Sequence, residues 1–384
     1  MTKMFDAIIV GGGVIGSSIA YHMAARGMKV VLLERDRLAG QASNAAAGML
    51  AAQAEINEAG PLFELALRSR ALFPSLAAQL RELSGIDIGL ERKGLLRIAT
   101  TVAQMNELQH AIEFQRKAGQ QASWLTGREV RKLERALAPD ILGAMLVEED
   151  GHVLAPELSL AFAKAAAALG ADIREYAEVQ SLVLEQGSVC GVRIRDTTLY
   201  GSRVVIASGT WSGPLMEQAG LSSPVFPVQG ECFSVLTHAP LVQATIFGDD
   251  CYLVPKKGGR LIVGATMREH SYDRKVTLGG IGKLLEAAKL LVPDIVHAEW
   301  EKAWSGLRPQ TADGLPFLGE HKELRGLYVA AGHYRNGILL SPITGQLAAD
   351  WAEGKAAEAD YLDAFRLDRQ MDMKGAMNQD EFAH

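Results

Sequence analysis

The sequence predicts an α/β protein of two domains, one built around a parallel sheet and the other mainly on antiparallel β-sheet. Three stretches predict it. Residues 5–34, FDAIIVGGGVIGSSIAYHMAARGMKVVLLE, read as strand, helix, strand, with glycines at the first turn. Residues 203–213, RVVIASGTWSG, form another short buried strand that runs into a turn of small residues. Residues 251–266, CYLVPKKGGRLIVGAT, show two strands around Lys256-Lys257-Gly258-Gly259, which is a hairpin signal.

From the N-terminus, Ala7 to Val10 is an apolar run bounded by glycine. Gly11-x-Gly13-x-x-Gly16 follows at once. Ser17 to Arg26 fits a helix that Gly27 ends. Lys29 to Leu33 is the second buried strand, with Glu34 at its end. This is the dinucleotide-binding βαβ pattern in its required context. Gly11 permits the tight turn, Gly13 lets a pyrophosphate approach the positive helix end, and Gly16 allows close helix–strand packing. Glu34 is placed to accept hydrogen bonds from a ribose diol. These glycines leave FAD and NAD both open.

Further along, Leu158 to Leu169 reads as an alanine-rich helix and Asp172 to Leu182 as a strand that resembles the one following in flavoproteins of the glutathione-reductase type, which makes Val179 the candidate for a backbone contact to adenine. The turn after the strand near 203, with Gly209, is a second candidate contact. Residues 86–150 carry more charge, weaker strand runs and helix-like stretches such as Val102 to Ala118. Residues 224–267 read as antiparallel sheet, Gly282 to Leu291 as a helix, and HAEWEKAWSGL as a strand. The expected organisation is therefore a discontinuous nucleotide domain over 1–85, 151–220 and 305–368. Segments 86–150 and 221–304 build the substrate domain, and 369–384 is a polar, flexible tail.

Net charge is −6 and no basic block stands out, which argues against a nucleic-acid partner. Cys190, Cys232 and Cys251 lie far apart without C-x-x-C spacing, so neither a metal site nor a disulfide framework is expected, and a reducing cytoplasm fits. No stretch has the length of a membrane span.

Two arginines carry the chemical interest. Arg308 precedes Pro309, which biases it to extended backbone at the end of a strand, well placed to project into a cleft. The competing reading is a salt bridge with Glu301 or Asp313. Arg335 lies in AGHYRNGILLSP among apolar neighbours, where an unpaired guanidinium is costly. Ser341-Pro342 resembles an N-cap followed by N1, so Gly332 to Leu340 reads as a loop at the positive end of a helix. Tyr252 is a candidate donor to an anionic ligand, and Met49 and Met267 are candidates for a small apolar pocket. No Ser-His-Asp or Cys-His arrangement is apparent, and His333 reads as a loop histidine bonded to backbone.

The first glycine motif, ASNAAAGML at 42–50, GLRPQTADGLPFLG at 306–319 and GHYRNGILLSPITG at 332–345 together resemble the D-amino-acid-oxidase family of flavoproteins. The likeness is greatest to its glycine oxidase branch, associated with thiamine biosynthesis, and runs from about residue 4 to 368. It implies a glutathione-reductase-type FAD-binding, Rossmann-like domain holding FAD non-covalently, since Gln310-Thr311-Ala312-Asp313 contains no cysteine. It places Val14, Ile15, Glu34 and Arg35 at the adenine end. Ala42, Ser43, Ala47, Gly48 and Met49 would lie along the pyrophosphate and flavin. His333, Tyr334, Arg335, Asn336, Gly337, Ile338 and Leu339 would lie beside the isoalloxazine. Arg308 and Arg335 match substrate positions, and Tyr252 matches a tyrosine that assists at the carboxylate. The implied reaction is oxidation of glycine, sarcosine and small D-amino acids by dioxygen, without a side-chain base. A dehydrogenase of D-amino acids or sarcosine with another electron acceptor is the alternative. The family also implies a homotetramer.

Overall fold

The computed structural model describes residues 4–195, 197–221, 225–355 and 360–369. A six-stranded sheet carries the nucleotide-binding pattern. Its order is Phe317–Glu320, Leu327–Ala331, Val204–Ile206, Ala7–Val10, Val30–Leu33 and Asp172–Arg174. Neighbours pair in parallel except at the Phe317–Glu320 edge. AIIV and VVLL show no polar alternation because both faces of the sheet are covered. On one face, helices Val14–Ala24, Pro61–Ser84, Ala155–Ala168 and Gly337–Ala352 enclose the largest apolar core. On the other, Ile8, Val10, Val31 and Leu33 meet Val189, Val192 and Leu199 of a four-stranded sheet.

The second large sheet has nine strands. Its long members, Val225–Leu236 and Glu299–Thr311, pair antiparallel, and the hairpin Tyr252–Pro255 with Arg260–Gly264 forms as the spacing predicts. Segment 86–150 contributes three strands, Leu95–Ala99, Ser123–Thr126 and Gly143–Val147. Only Thr245–Phe247 beside Leu95–Ala99 runs parallel in this sheet.

Several boundaries differ from the sequence expectation. The single strand expected over 172–182 is two strands in different sheets, Asp172–Arg174 and Val179–Glu185, with Tyr176 at positive φ between them. Glu299–Thr311 runs unbroken across the 304/305 boundary and past Arg308, so that arginine lies within a strand rather than at its end. Pro309 is tolerated because this strand pairs on one side alone. The helix expected from Gly282 begins at Leu278, because Thr277 accepts the Gly280 N–H and caps it despite two early glycines.

The helix expected from Ser341 begins at Gly337, after a short 3₁₀ turn Tyr334–Asn336. Pro342 is therefore inside the helix, where it removes the N–H that Ile338 O would have received. The Ser341 hydroxyl donates to that carbonyl at 2.9 Å and restores the bond. Arg369, placed by the sequence reading in the tail, is pinned: its side chain is 7% exposed and pairs with Asp313. Residues 370–384 of that expected tail lie outside the described residues. Among the described residues, no helix is long and apolar enough to cross a membrane.

Candidate cofactor and substrate site

Two adjoining cavities lie where the sheets meet. The larger, about 270 Å³, follows the C-terminal ends of the parallel strands, the usual ligand position in open α/β sheets. Gly11, Gly13, Val14 and Ile15 of the first turn line it, with Glu34 and Arg35 from the next strand end. Ala42 and Ser43 continue the wall, and Val179 and Gly209 close it on the other side. His333, Tyr334, Arg335, Gly337 and Ile338 form its far end.

Backbone geometry makes this space. Gly11 has φ +111, and a Cβ there would strike the Ala207 carbonyl. Gly16 does not line the cavity; a Cβ on it would collide with the Gly11 carbonyl, so its role is helix–turn packing. The helix Val14–Ala24 starts at Gly13 with no side-chain cap and no acidic residue in its first turn. Such an end favours an anion. Ser43 Oγ accepts the Val14 N–H at 2.9 Å and ties the 42–45 segment to it. The Glu34 carboxylate is buried and oriented by the N–H groups of Gly12 (2.7 Å) and Asp36 (3.0 Å).

Two features of this cavity escaped the sequence reading. The Arg35 guanidinium stacks 3.9 Å from the ring centroid of Trp211. The Thr210 hydroxyl is buried without a partner in the wall. Both residues sit in the quoted turn after the strand near 203, so the stretch was visible and the individual roles were not.

At the far end, helix Gly337–Ala352 likewise lacks a side-chain cap and an acidic first turn, and its Gly337 and Ile338 reach the cavity. Asn336 is the N-cap residue and Leu339 is buried in the core; neither lines the space. His333 is buried, lies 3.1 Å from the Thr344 hydroxyl through Nε2, and burial lowers its pKa to about 3. Its partner is thus a side chain of the following helix rather than backbone, and it is neutral.

The smaller cavity, about 90 Å³, shares Ala42, Ala46, Leu307, Tyr334, Arg335 and Ile338 with the larger. Ala47, Gly48, Met49, Tyr252 and Arg308 line it, as do Glu55, Gly230 and Cys232, which the sequence reading missed. Arg308 donates from Nη1 to the Thr266 carbonyl at 3.2 Å. Among the described residues it forms no ion pair. The two acids considered for it are engaged elsewhere: Glu301 with Arg260, and Asp313 with Arg369. A Cβ on Gly230 would collide with the Arg308 guanidinium, so this glycine provides the space in which that group lies. A lone glycine inside a strand was its one sequence signal.

Arg335 differs from its expected role. Glu55 already pairs with it bidentately, Nε to Oε2 at 2.9 Å and Nη2 to Oε1 at 3.2 Å. The anion that Arg335 meets is therefore a side chain of this chain, and Glu55 pushes its pKa further upward. Nothing local in AAQAEINEAG signals this, since the partners lie 280 residues apart. Tyr252 is buried with its hydroxyl 3.6 Å from Cys232 Sγ, and burial raises the pKa of the phenol, which stays protonated. Met49 lines the cavity, but Met267 does not: it is 54% exposed and accepts a contact from the Tyr334 hydroxyl. It lies in the short link between the strands Arg260–Gly264 and Arg268–Glu269.

A nucleotide-sized groove on a parallel sheet, joined to a small cationic pocket under an antiparallel sheet, defines a cofactor-dependent oxidoreductase. The family model for FAD-dependent oxidoreductases of the DAO type matches residues 6–351, and the chain belongs to this family. FAD is accordingly its cofactor, and the uncapped helix end, the oriented Glu34 carboxylate and the unpartnered Thr210 hydroxyl fit it. The chain is 49% identical over 380 residues to glycine oxidase of Geobacillus kaustophilus (strain HTA426), covering 98% of this chain and 100% of that protein. It is similar to the crystal structure of glycine oxidase from Geobacillus kaustophilus at TM-score 0.93 and 48% identity, covering 97% of this chain and 100% of that one. It is also 36% identical to the bifunctional protein ThiO/ThiG of Synechocystis sp. (strain ATCC 27184 / PCC 6803 / Kazusa), covering 91% of this chain and 52% of that protein.

Proposed function

We propose that this protein oxidises the C–N bond of glycine and of other small amines such as sarcosine and small D-amino acids. Dioxygen is the electron acceptor, and the products are the imine or 2-oxo acid, hydrogen peroxide and ammonia, or methylamine where sarcosine is the substrate. The observation that carries this reading is Arg308, a guanidinium without a carboxylate partner among the described residues, in a cavity of about 90 Å³ that adjoins the cofactor groove.

Arg308 binds the substrate carboxylate, and each charge-assisted hydrogen bond contributes roughly 1.5–3 kcal/mol. Tyr252, kept protonated by burial, donates a further bond. Ala47, Gly48 and Met49 limit the side chain the pocket accepts. Together these residues hold the α-carbon in one orientation, which lowers the barrier by removing the search for alignment. FAD, held non-covalently, would supply the two-electron acceptor, taking the α-hydrogen together with its electron pair. No side-chain base is needed if the amine arrives neutral. The titratable groups of the pocket agree: Glu55 is engaged by Arg335, and burial holds Cys232 and Tyr252 protonated. Arg335 takes a flanking contact on its face away from Glu55.

The ThiO/ThiG relative and the thiamine-associated branch support use of the imine in thiazole synthesis. A homotetramer in the cytoplasm completes the proposal. Anaerobic mixing with glycine, sarcosine and D-alanine tests it directly: the flavin should bleach, and peroxide should form on admitting air. A flavin that no small amine reduces would sink this reading, while reduction without peroxide would favour a dehydrogenase.

A further inference from the structure

Glu55 sits in an irregular segment, between the strand Met49–Leu50 and the helix from Pro61, that supplies few backbone partners of its own. Two fully buried polar side chains take their place. Asp150 Oδ2 accepts the N–H groups of Gln53 (3.1 Å) and Ala54 (3.0 Å), and its Oδ1 accepts Arg70 at 2.6 Å. Arg70 Nη1 also reaches Gln53 Oε1 at 2.7 Å. On the other side, Gln115 Nε2 donates to the carbonyls of Gln53 (3.1 Å) and Ile56 (3.2 Å). Asp150 and Gln115 are both 0% exposed, and the Gln115 Oε1 has no partner. That amide is therefore kept for its two donors. Burying a carboxylate, a guanidinium and an amide around one irregular, largely buried segment is costly unless each is paired. What the arrangement fixes is the backbone on either side of Glu55, whose carboxylate then meets Arg335 in the substrate cavity.

We propose that Asp150 and Gln115 are positioning residues that hold Glu55 against Arg335 and so set the charge selectivity of the substrate cavity. This rests on the carboxylate-binding reading of Arg308. With Glu55 in place, the cavity holds two guanidinium groups and one carboxylate, a net single positive charge that matches one substrate carboxylate. With Glu55 displaced or neutralised, Arg335 is free and a second carboxylate becomes acceptable. The arrangement thus selects monocarboxylate amines over dicarboxylate ones, and it is held in place by Asp150 and Gln115, which do not line the cavity.

The test uses the FAD-loaded protein and two ligands of nearly equal shape, malonate and its monoamide, with affinities read from the perturbation of flavin absorbance. Wild type should prefer the monoamide. Glu55→Gln should shift the affinity ratio toward malonate by about tenfold, and Asp150→Asn should shift it the same way by severalfold. Because Asp150 acts through Glu55, the double variant should match Glu55→Gln alone. Should Asp150→Asn fail to fold, Gln115→Met carries the same expectation. A ratio that moves in Glu55→Gln but not in either clamp variant, or clamp effects that add fully to it, would overturn the positioning role. No shift in Glu55→Gln would overturn the charge argument. Neither ligand perturbing the wild-type flavin would overturn the carboxylate site itself, and this proposal with it.

Discussion

The cofactor groove is walled largely by consecutive backbone: the Gly11–Ile15 turn, the Glu34–Arg35 strand end and the helix start at Gly337. The smaller cavity is walled by single side chains from well-separated stretches, among them Glu55, Tyr252, Arg308 and Arg335. The groove depends on the absence of Cβ atoms and on helix N-termini without an acidic first turn. The small cavity depends on which charges find partners. The first is a property of short segments; the second is a property of the whole chain.

Substitutions should affect the two regions differently. Gly16→Val is expected to have the largest effect, because its side chain would occupy the position of the Gly11 carbonyl. Purified protein should lack flavin, and added FAD should not restore the absorbance; yellow protein with normal melting would break the claim that backbone contact builds the groove. Arg308→Ala should lower kcat/KM for glycine on the order of a thousandfold, as two charge-assisted bonds are lost, while flavin content stays at wild-type level. Equal losses of flavin and activity would erase the distinction between the regions.

Three buried histidines are neutral in the folded protein. Burial lowers His333 and His152 to about 3 and His22 to about 4. Their folded pKa values are below the unfolded value near 6.5, so the unfolded state binds protons that the folded state refuses. Stability is fully present above pH 6.5 and falls as pH drops toward 4, by up to about 1.4 kcal/mol per pH unit for each histidine. Denaturant titrations at pH 7, 6 and 5 measure the slope, and a flat profile would contradict it. Gly230→Ala should raise KM for glycine about tenfold with flavin retained, because the added methyl displaces Arg308. Trp211→Leu should have the smallest effect, weakening FAD binding about threefold to fivefold through loss of the Arg35 stack, measurable by flavin fluorescence on dilution.

The Gly11-x-Gly13-x-x-Gly16 turn with Glu34, and the hairpin around Lys256 to Gly259, were legible because each is decided by local backbone preferences over a few residues. The candidate lining residues were legible for the same reason where they belong to such turns, and through family resemblance where they do not. Helix starts were harder. Ser341-Pro342 has the composition of a helix start, yet the helix begins at Gly337, because Ser341 repairs the bond that Pro342 removes.

By itself, then, the sequence determined the nucleotide-binding sheet, the antiparallel partner sheet and the presence of Arg308 and Arg335 near one another by resemblance. Tertiary structure alone decided which arginine is available. Glu55 takes Arg335, Arg260 takes Glu301, and Arg369 takes Asp313, leaving Arg308 without a carboxylate among the described residues. Ion pairing depends on distance in space, and these partners are 280, 41 and 56 residues apart in the chain. No local pattern encodes such a choice, because a charge responds to whatever the folded chain brings within a few ångströms.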